Sequence, residues 1–123
     1  MPNDLIFFLG RALLGLFFIF NGLNHFTVFQ QMRDFAEGRG VPLPGVAVAG
    51  TGLMLIAGGV SVLGGFWVEW GLGLLILFLV VVTPWIHSYW RMEDPHRKQE
   101  EQMNFMKNLG LLGALLMLWH LWG

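Results

Sequence analysis

The chain has 123 residues, room for a single domain over 1–123. Hydrophobic residues make up 55% of it and charged residues 12%, with a mean hydropathy of +0.61. Soluble domains carry about 25% charge and disordered chains still more, so both classes are excluded. Seven Lys and Arg against eight Asp and Glu leave no basic patch for nucleic acid, and the lack of cysteine excludes disulfides, thiolate metal sites and dithiol chemistry. An all-α integral membrane protein remains.

Four apolar stretches have the length of a bilayer-crossing helix, at residues 5–24, 45–63, 69–90 and 105–122. The first follows only Asp4, with no basic residue before it and no small-residue cleavage site after it, so a retained helix is expected. Residues 26–37 place Phe26, Phe29 and Met32 three apart among Gln30, Gln31, Arg33 and Asp34, which predicts a short amphipathic helix at the bilayer surface. Gly38, Gly40, Pro42 and Pro44 break it before the second span. In the third span Pro84 predicts a kink that frees backbone carbonyls. Asp94-Pro95 reads as a helix start, with Asp94 as N-cap. His96–Glu100 and Arg97–Glu101 then supply pairs spaced by four. Gly45 with Ala49, Gly58 with Gly59, and Gly110 with Ala114 predict close helix packing into a four-helix bundle.

Tryptophans mark the span ends. Trp67 and Trp70 open the third span, Trp85 and Trp90 close it, and Trp119 and Trp122 close the fourth. The 20 residues from Trp70 to Trp90 correspond to about 30 Å of helix, as an aromatic belt at each interface requires. Arg33, Arg39, Arg91, Arg97, Lys98 and Lys107 flank one side of the membrane and only Arg11 the other. The basic side is expected to be cytoplasmic, with both termini outside.

Polar residues gather at that basic side. Asn21, Asn24 and His25 end the first span, Thr83, His87 and Ser88 end the third, Lys107 and Asn108 open the fourth, and Thr51 lies in the second. Asn21 and His25 share a helix face, as do Thr83 and His87. Several readings compete for this polar cup. The side chains could cap helix ends and bond carbonyls freed by Pro84. They could hold a quinone or related amphiphile, with Asn21, His25, His87, Lys107 and Asn108 as ligand-binding residues. His25 and His87 as axial ligands of haem b rank low, and zinc lower still, since no third protein ligand is evident. No intrinsic cofactor and no metal site are expected. At the other side Arg11 is expected to form a structural ion pair with Glu69. No nucleophile motif, metalloprotease motif or dinucleotide fingerprint occurs, so no catalytic residue is assigned.

The first span reads Arg11-Ala-Leu-Leu-Gly15 and Phe20-Asn21-Gly22, followed by Gly40-Val41-Pro42. The second ends Gly58-Gly59-Val60-Ser61-Val62-Leu63-Gly64, the third with His87, and the fourth begins Asn104-Phe105-Met106-Lys107-Asn108-Leu109. Over nearly the whole chain this order resembles the DoxX family of small four-helix prokaryotic membrane proteins. The resemblance implies a membrane subunit of a redox complex, as in the thiosulfate:quinone oxidoreductases, placed in the inner membrane beside a partner subunit or a second copy. It also implies quinone as the possible ligand. Many members carry lysine where this chain has His25, and a glutamate in the second helix, where Thr51 is the main polar group here. A non-enzymatic scaffold or assembly factor is the alternative.

Overall fold

The computed structural model describes residues 4–122. Its elements are helices α1 (Asp4–Thr27), α2 (Phe29–Gly38), α3 (Pro44–Gly64) and α4 (Val68–Ile86), a 3-10 turn at Tyr89–Arg91, and helix α5 (Pro95–Trp122). The long helices run up and down, so α2 and the 3-10 turn lie at one end of the bundle, called the loop end here. The start of α1 and the end of α5 lie at the other. The helix at α1, the one at α3, the segment Val68–Arg91 and α5 are each long and apolar enough to cross a membrane.

Why the helices end where they do is local chemistry. Asp94 caps α5 as expected, its carboxylate accepting from the His96 N–H at 3.1 Å, with Pro95 as the first helical residue. Gly65 closes α3 in the left-handed region at φ 75°, which glycine enters without a Cβ penalty. Ser61 then fixes the α3–α4 turn, donating to the carbonyls of Phe66 at 2.6 Å and Trp67 at 3.0 Å. The amphipathic segment is helical from Phe29, two residues beyond the end of α1 at Thr27. In place of a kinked third span running on to Trp90, α4 stops at Ile86 and Trp90 lies in the 3-10 turn. Pro84 offers no N–H to continue the ladder from Val80, and His87 becomes the C-cap.

Phe18, Leu55, Val62, Leu72, Leu75, Leu79 and Leu115 form the core, one to three from each long helix. Leu13, Leu53, Leu77 and Met117 stay exposed, the lipid-facing shell of a bundle whose solvent is hydrocarbon. Glycine decides the tightest contact, between α1 and α3. A Cβ on Gly15 would lie 2.7 Å from the Gly59 carbonyl oxygen, and one on Gly59 would lie 2.6 Å from that of Gly15. Gly22 meets the Gly52 carbonyl in the same way, at 2.7 Å. The Gly110–Ala114 pair does not pack: both residues are exposed and nothing lies within 4 Å of a Cβ on Gly110. The α5 surface that does pack is the one bearing Leu111 and Leu115.

The expected pair between Arg11 and Glu69 is not formed; the ion pairs among the described residues are Arg33–Asp34 and Arg33–Glu37, and the His87–Glu101 contact is one only where His87 is protonated. Arg11 instead lies over the rings of Phe8 at 5.4 Å, Trp122 at 5.6 Å and Phe7 at 5.9 Å. Its guanidinium also borders Gly65 at the end of α3, where the helix dipole is negative. Phe7 and Trp122 meet edge to face at 4.9 Å, so this aromatic cluster joins α1 to α5. Arg11→Ala should therefore destabilise the bundle by about 1–2 kcal/mol, the range for a desolvated cation–π site. Glu69→Gln should leave the melting temperature in detergent unchanged. Equal losses from both variants would restore the ion pair.

Candidate functional site

A cavity of about 620 Å³ occupies the loop-end half of the bundle, within the range of small-ligand sites. Phe17, Phe18, Leu55, Phe78, Val82 and Leu111 form much of its apolar wall, and Met32, Phe35 and Ala36 of α2 close it from the loop end. Asn21 and His25 from α1, His87 from the end of α4, and Lys107 and Asn108 from α5 all line it. The five sequence-selected residues thus share one space. Thr51, Gln31 and Asn104 join them.

Helical spacing places these groups. Asn21 and His25 lie one turn apart on α1; Glu101, Asn104, Asn108, Leu111 and Leu115 lie three or four apart on α5. The α5 stripe turns from polar at the loop end to core at Leu115, which is fully buried. The arrest of α4 at Ile86 sets His87 beside that stripe.

Each histidine is held by one ring nitrogen. His25 Nδ1 lies 3.0 Å from the Val48 carbonyl oxygen and 3.2 Å from Thr51 Oγ1. Thr51 spends its own proton on the Ala47 carbonyl at 2.7 Å, so Nδ1 is the donor to both. His87 Nδ1 meets Glu101 Oε2 at 2.5 Å, with side chains 21% and 13% exposed respectively. Asn104 donates to the other carboxylate oxygen at 3.4 Å. Neither Nε2 has a hydrogen-bond partner among the described residues. Asn21 donates to the Phe17 carbonyl at 2.7 Å. Asn108 is only 7% exposed and lines the cavity, yet its amide has no partner among the described residues.

The rest of the expected polar group lies elsewhere. Asn24 bonds Thr27 at 3.3 Å, and Thr83 is buried with its hydroxyl unpartnered. Ser88 receives the Arg39 guanidinium on both its hydroxyl and its carbonyl. Trp85 Nε1 donates to the Arg39 carbonyl at 2.9 Å, and Arg97 stacks on Phe35 at 5.9 Å. These contacts fasten α2 and the chain after it to the end of α4 and the start of α5. They also displace the expected Arg97–Glu101 pair: Arg97 goes to the aromatic ring and Glu101 to His87. The His96–Glu100 pair is not formed among the described residues, and both side chains are exposed.

Sequence reasoning passed over Glu101 as a site residue. The signal was present in the α5 stripe of 101, 104, 108, 111 and 115, which ties Glu101 to the face of Asn108. Arg39 carried no such signal, because its partner is 49 residues away. No group of three or more His, Cys, Asp or Glu could hold a metal among the described residues.

Four crossing-length helices around a partly open cavity with polar groups in its lining define a multi-pass helical membrane protein with a cavity inside the bundle. The DoxX family model matches residues 6–88, about two thirds of the chain, and the protein belongs to the DoxX family. The match takes in α1 to α4 and reaches His87; it stops short of α5, which supplies Lys107, Asn108 and Glu101. No curated protein and no solved structure matches the chain.

Proposed function

We propose that this DoxX protein is the membrane subunit of a quinone-linked redox complex, and that its chamber binds a quinone or a closely related lipophilic ring. The observation that carries this reading is the unpartnered amide of Asn108, a residue only 7% exposed, on the wall of a cavity of about 620 Å³ that Phe17, Phe18 and Phe78 also line. A polar group left open in an apolar interior costs about 1–3 kcal/mol, and a ligand carrying oxygen would relieve that penalty. The residues fit such a group. Phe17, Phe18 and Phe78 offer faces for a ring, while Asn108 and the two free imidazole nitrogens offer hydrogen bonds to its oxygens. A quinone supplies two-electron chemistry when bound; this chain's part is to bind and orient it and to exclude water.

In this reading His25, His87 and Asn108 orient the ring, and Asn21 and Lys107 complete the polar shell. The protein sits in a prokaryotic cytoplasmic membrane with its basic loop end inside and both termini outside. A partner subunit or a second copy supplies electrons. Titration of the purified protein with a short-chain naphthoquinone, followed by tryptophan quenching, tests the assignment. His87→Ala should weaken binding about tenfold, one lost hydrogen bond, with the helical circular-dichroism signal unchanged. Equal affinity in wild type and variant would remove His87, and no binding by wild type would leave the scaffold alternative.

A further inference from the structure

The hydrogen-bond partners of the two histidines select between the two redox forms of the ring, an inference that rests on the ligand class proposed above. A carbonyl oxygen has no proton to give, so the contact with Val48 at 3.0 Å places a proton on His25 Nδ1. A carboxylate likewise accepts, so the 2.5 Å contact with Glu101 places a proton on His87 Nδ1. Wherever the ring is neutral, a proton on Nδ1 leaves the lone pair on Nε2. The cavity therefore presents an acceptor nitrogen from α1 and another from the end of α4. Asn21 adds to this bias, because its amide N–H₂ is engaged by the Phe17 carbonyl at 2.7 Å, leaving its oxygen free. The donors that remain are Lys107 at the exposed rim, the Asn108 and Gln31 amides, and the second N–H of Asn104.

A quinone carbonyl can only accept, so it satisfies Lys107 and Asn108 but leaves the histidine nitrogens facing a lone pair. The hydroxyl of the reduced ring both donates and accepts, and satisfies all four groups. We infer that the cavity is built for the quinol, a dihydroxy aromatic ring, in preference to the quinone. In this scheme Glu101 is a positioning residue: it does not line the cavity, and it acts by fixing which nitrogen of His87 is bare.

The test is anaerobic titration of the full-length protein in nanodiscs with one short-chain naphthoquinone and with its dithionite-reduced naphthoquinol. Wild type should bind the reduced form about tenfold more tightly, an upward shift of about 30 mV in the bound two-electron couple. Glu101→Gln keeps the side-chain volume but lets the amide donate to Nδ1, which moves the imidazole proton to Nε2. That variant should lose about threefold or more of the preference while still binding the oxidised form. ¹⁵N spectra of the wild-type histidines give a reading independent of any variant's folding: both Nε2 should be unprotonated in the neutral rings. Equal or tighter binding of the oxidised form would overturn the inference and leave the quinone reading standing. So would protonated Nε2 atoms, or an unchanged preference in Glu101→Gln. Binding of neither form would remove both.

Discussion

Gly15→Ala should destabilise the protein by about 3 kcal/mol, the upper part of the range for overpacking a closed interface. The new methyl would stand 2.7 Å from the Gly59 carbonyl oxygen and 2.9 Å from both the Leu63 amide nitrogen and Cβ. Two of those atoms are backbone of the last two turns of α3, so relief requires the two helices to separate. Separation would loosen the reciprocal contact of Gly59 with Gly15, and the Gly22–Gly52 contact two turns further along. Gly10→Ala in the same helix is the control, since nothing lies within 4 Å of its added Cβ. It should be neutral, or stabilising by up to about 1 kcal/mol through helix propensity. Thermal unfolding in detergent, followed by circular dichroism, reads both. Similar melting temperatures for the two variants would mean that α1 and α3 are not in backbone contact.

That contrast shows how far the sequence carries the fold. The spans, the α5 cap at Asp94 and the surface helix follow from local patterns: apolar runs, a turn of polar spacing, and Asp before Pro. Which glycines pack is not local. Gly15 and Gly10 look alike in an apolar helix, and Gly110–Ala114 has the same small-residue spacing as Gly45–Ala49. Only the α1–α3 approach separates the first two, and α5 turns a different face inward. Arg11 follows the same logic. Sequence proximity to a belt suggested a carboxylate partner, but the helix ends bring Phe7, Phe8 and Trp122 to it instead. An aromatic cage is favourable where a desolvated carboxylate would be expensive.

The chamber was half legible. Antiparallel helices bring residues at matching depth to one level, so Asn21, His25, His87, Lys107 and Asn108 could be grouped from their distance to the span ends. Their hydrogen-bond states could not be, because each depends on a backbone or side-chain partner from another helix: Val48 for His25, and Glu101 for His87. The arrest of α4 at Ile86, four residues earlier than a span to Trp90 would need, is what lets Glu101 reach His87.

Asn108→Leu should separate the demands of folding from those of binding more sharply than any other substitution in the chamber. The side chains share one branched four-atom shape, and Asn108 lies beside the cavity on the α5 face that carries Leu111 and Leu115, so the larger leucine would extend the core into open space. With no ligand present, removing an amide that has no protein partner should stabilise the bundle by about 1–2 kcal/mol. The same change deletes the most deeply buried hydrogen-bonding group of the cavity, and naphthoquinone affinity should fall about tenfold or more. Gains in stability with losses in function mark residues held for a ligand. A capping or packing role makes the opposite forecast: Asn108→Leu would lower the melting temperature and leave binding untouched. Unfolding curves with and without the ring therefore decide whether this buried amide serves the fold or the site. Wild type should melt higher with the ring bound, by linkage, and the variant should show a smaller rise at the same ring concentration.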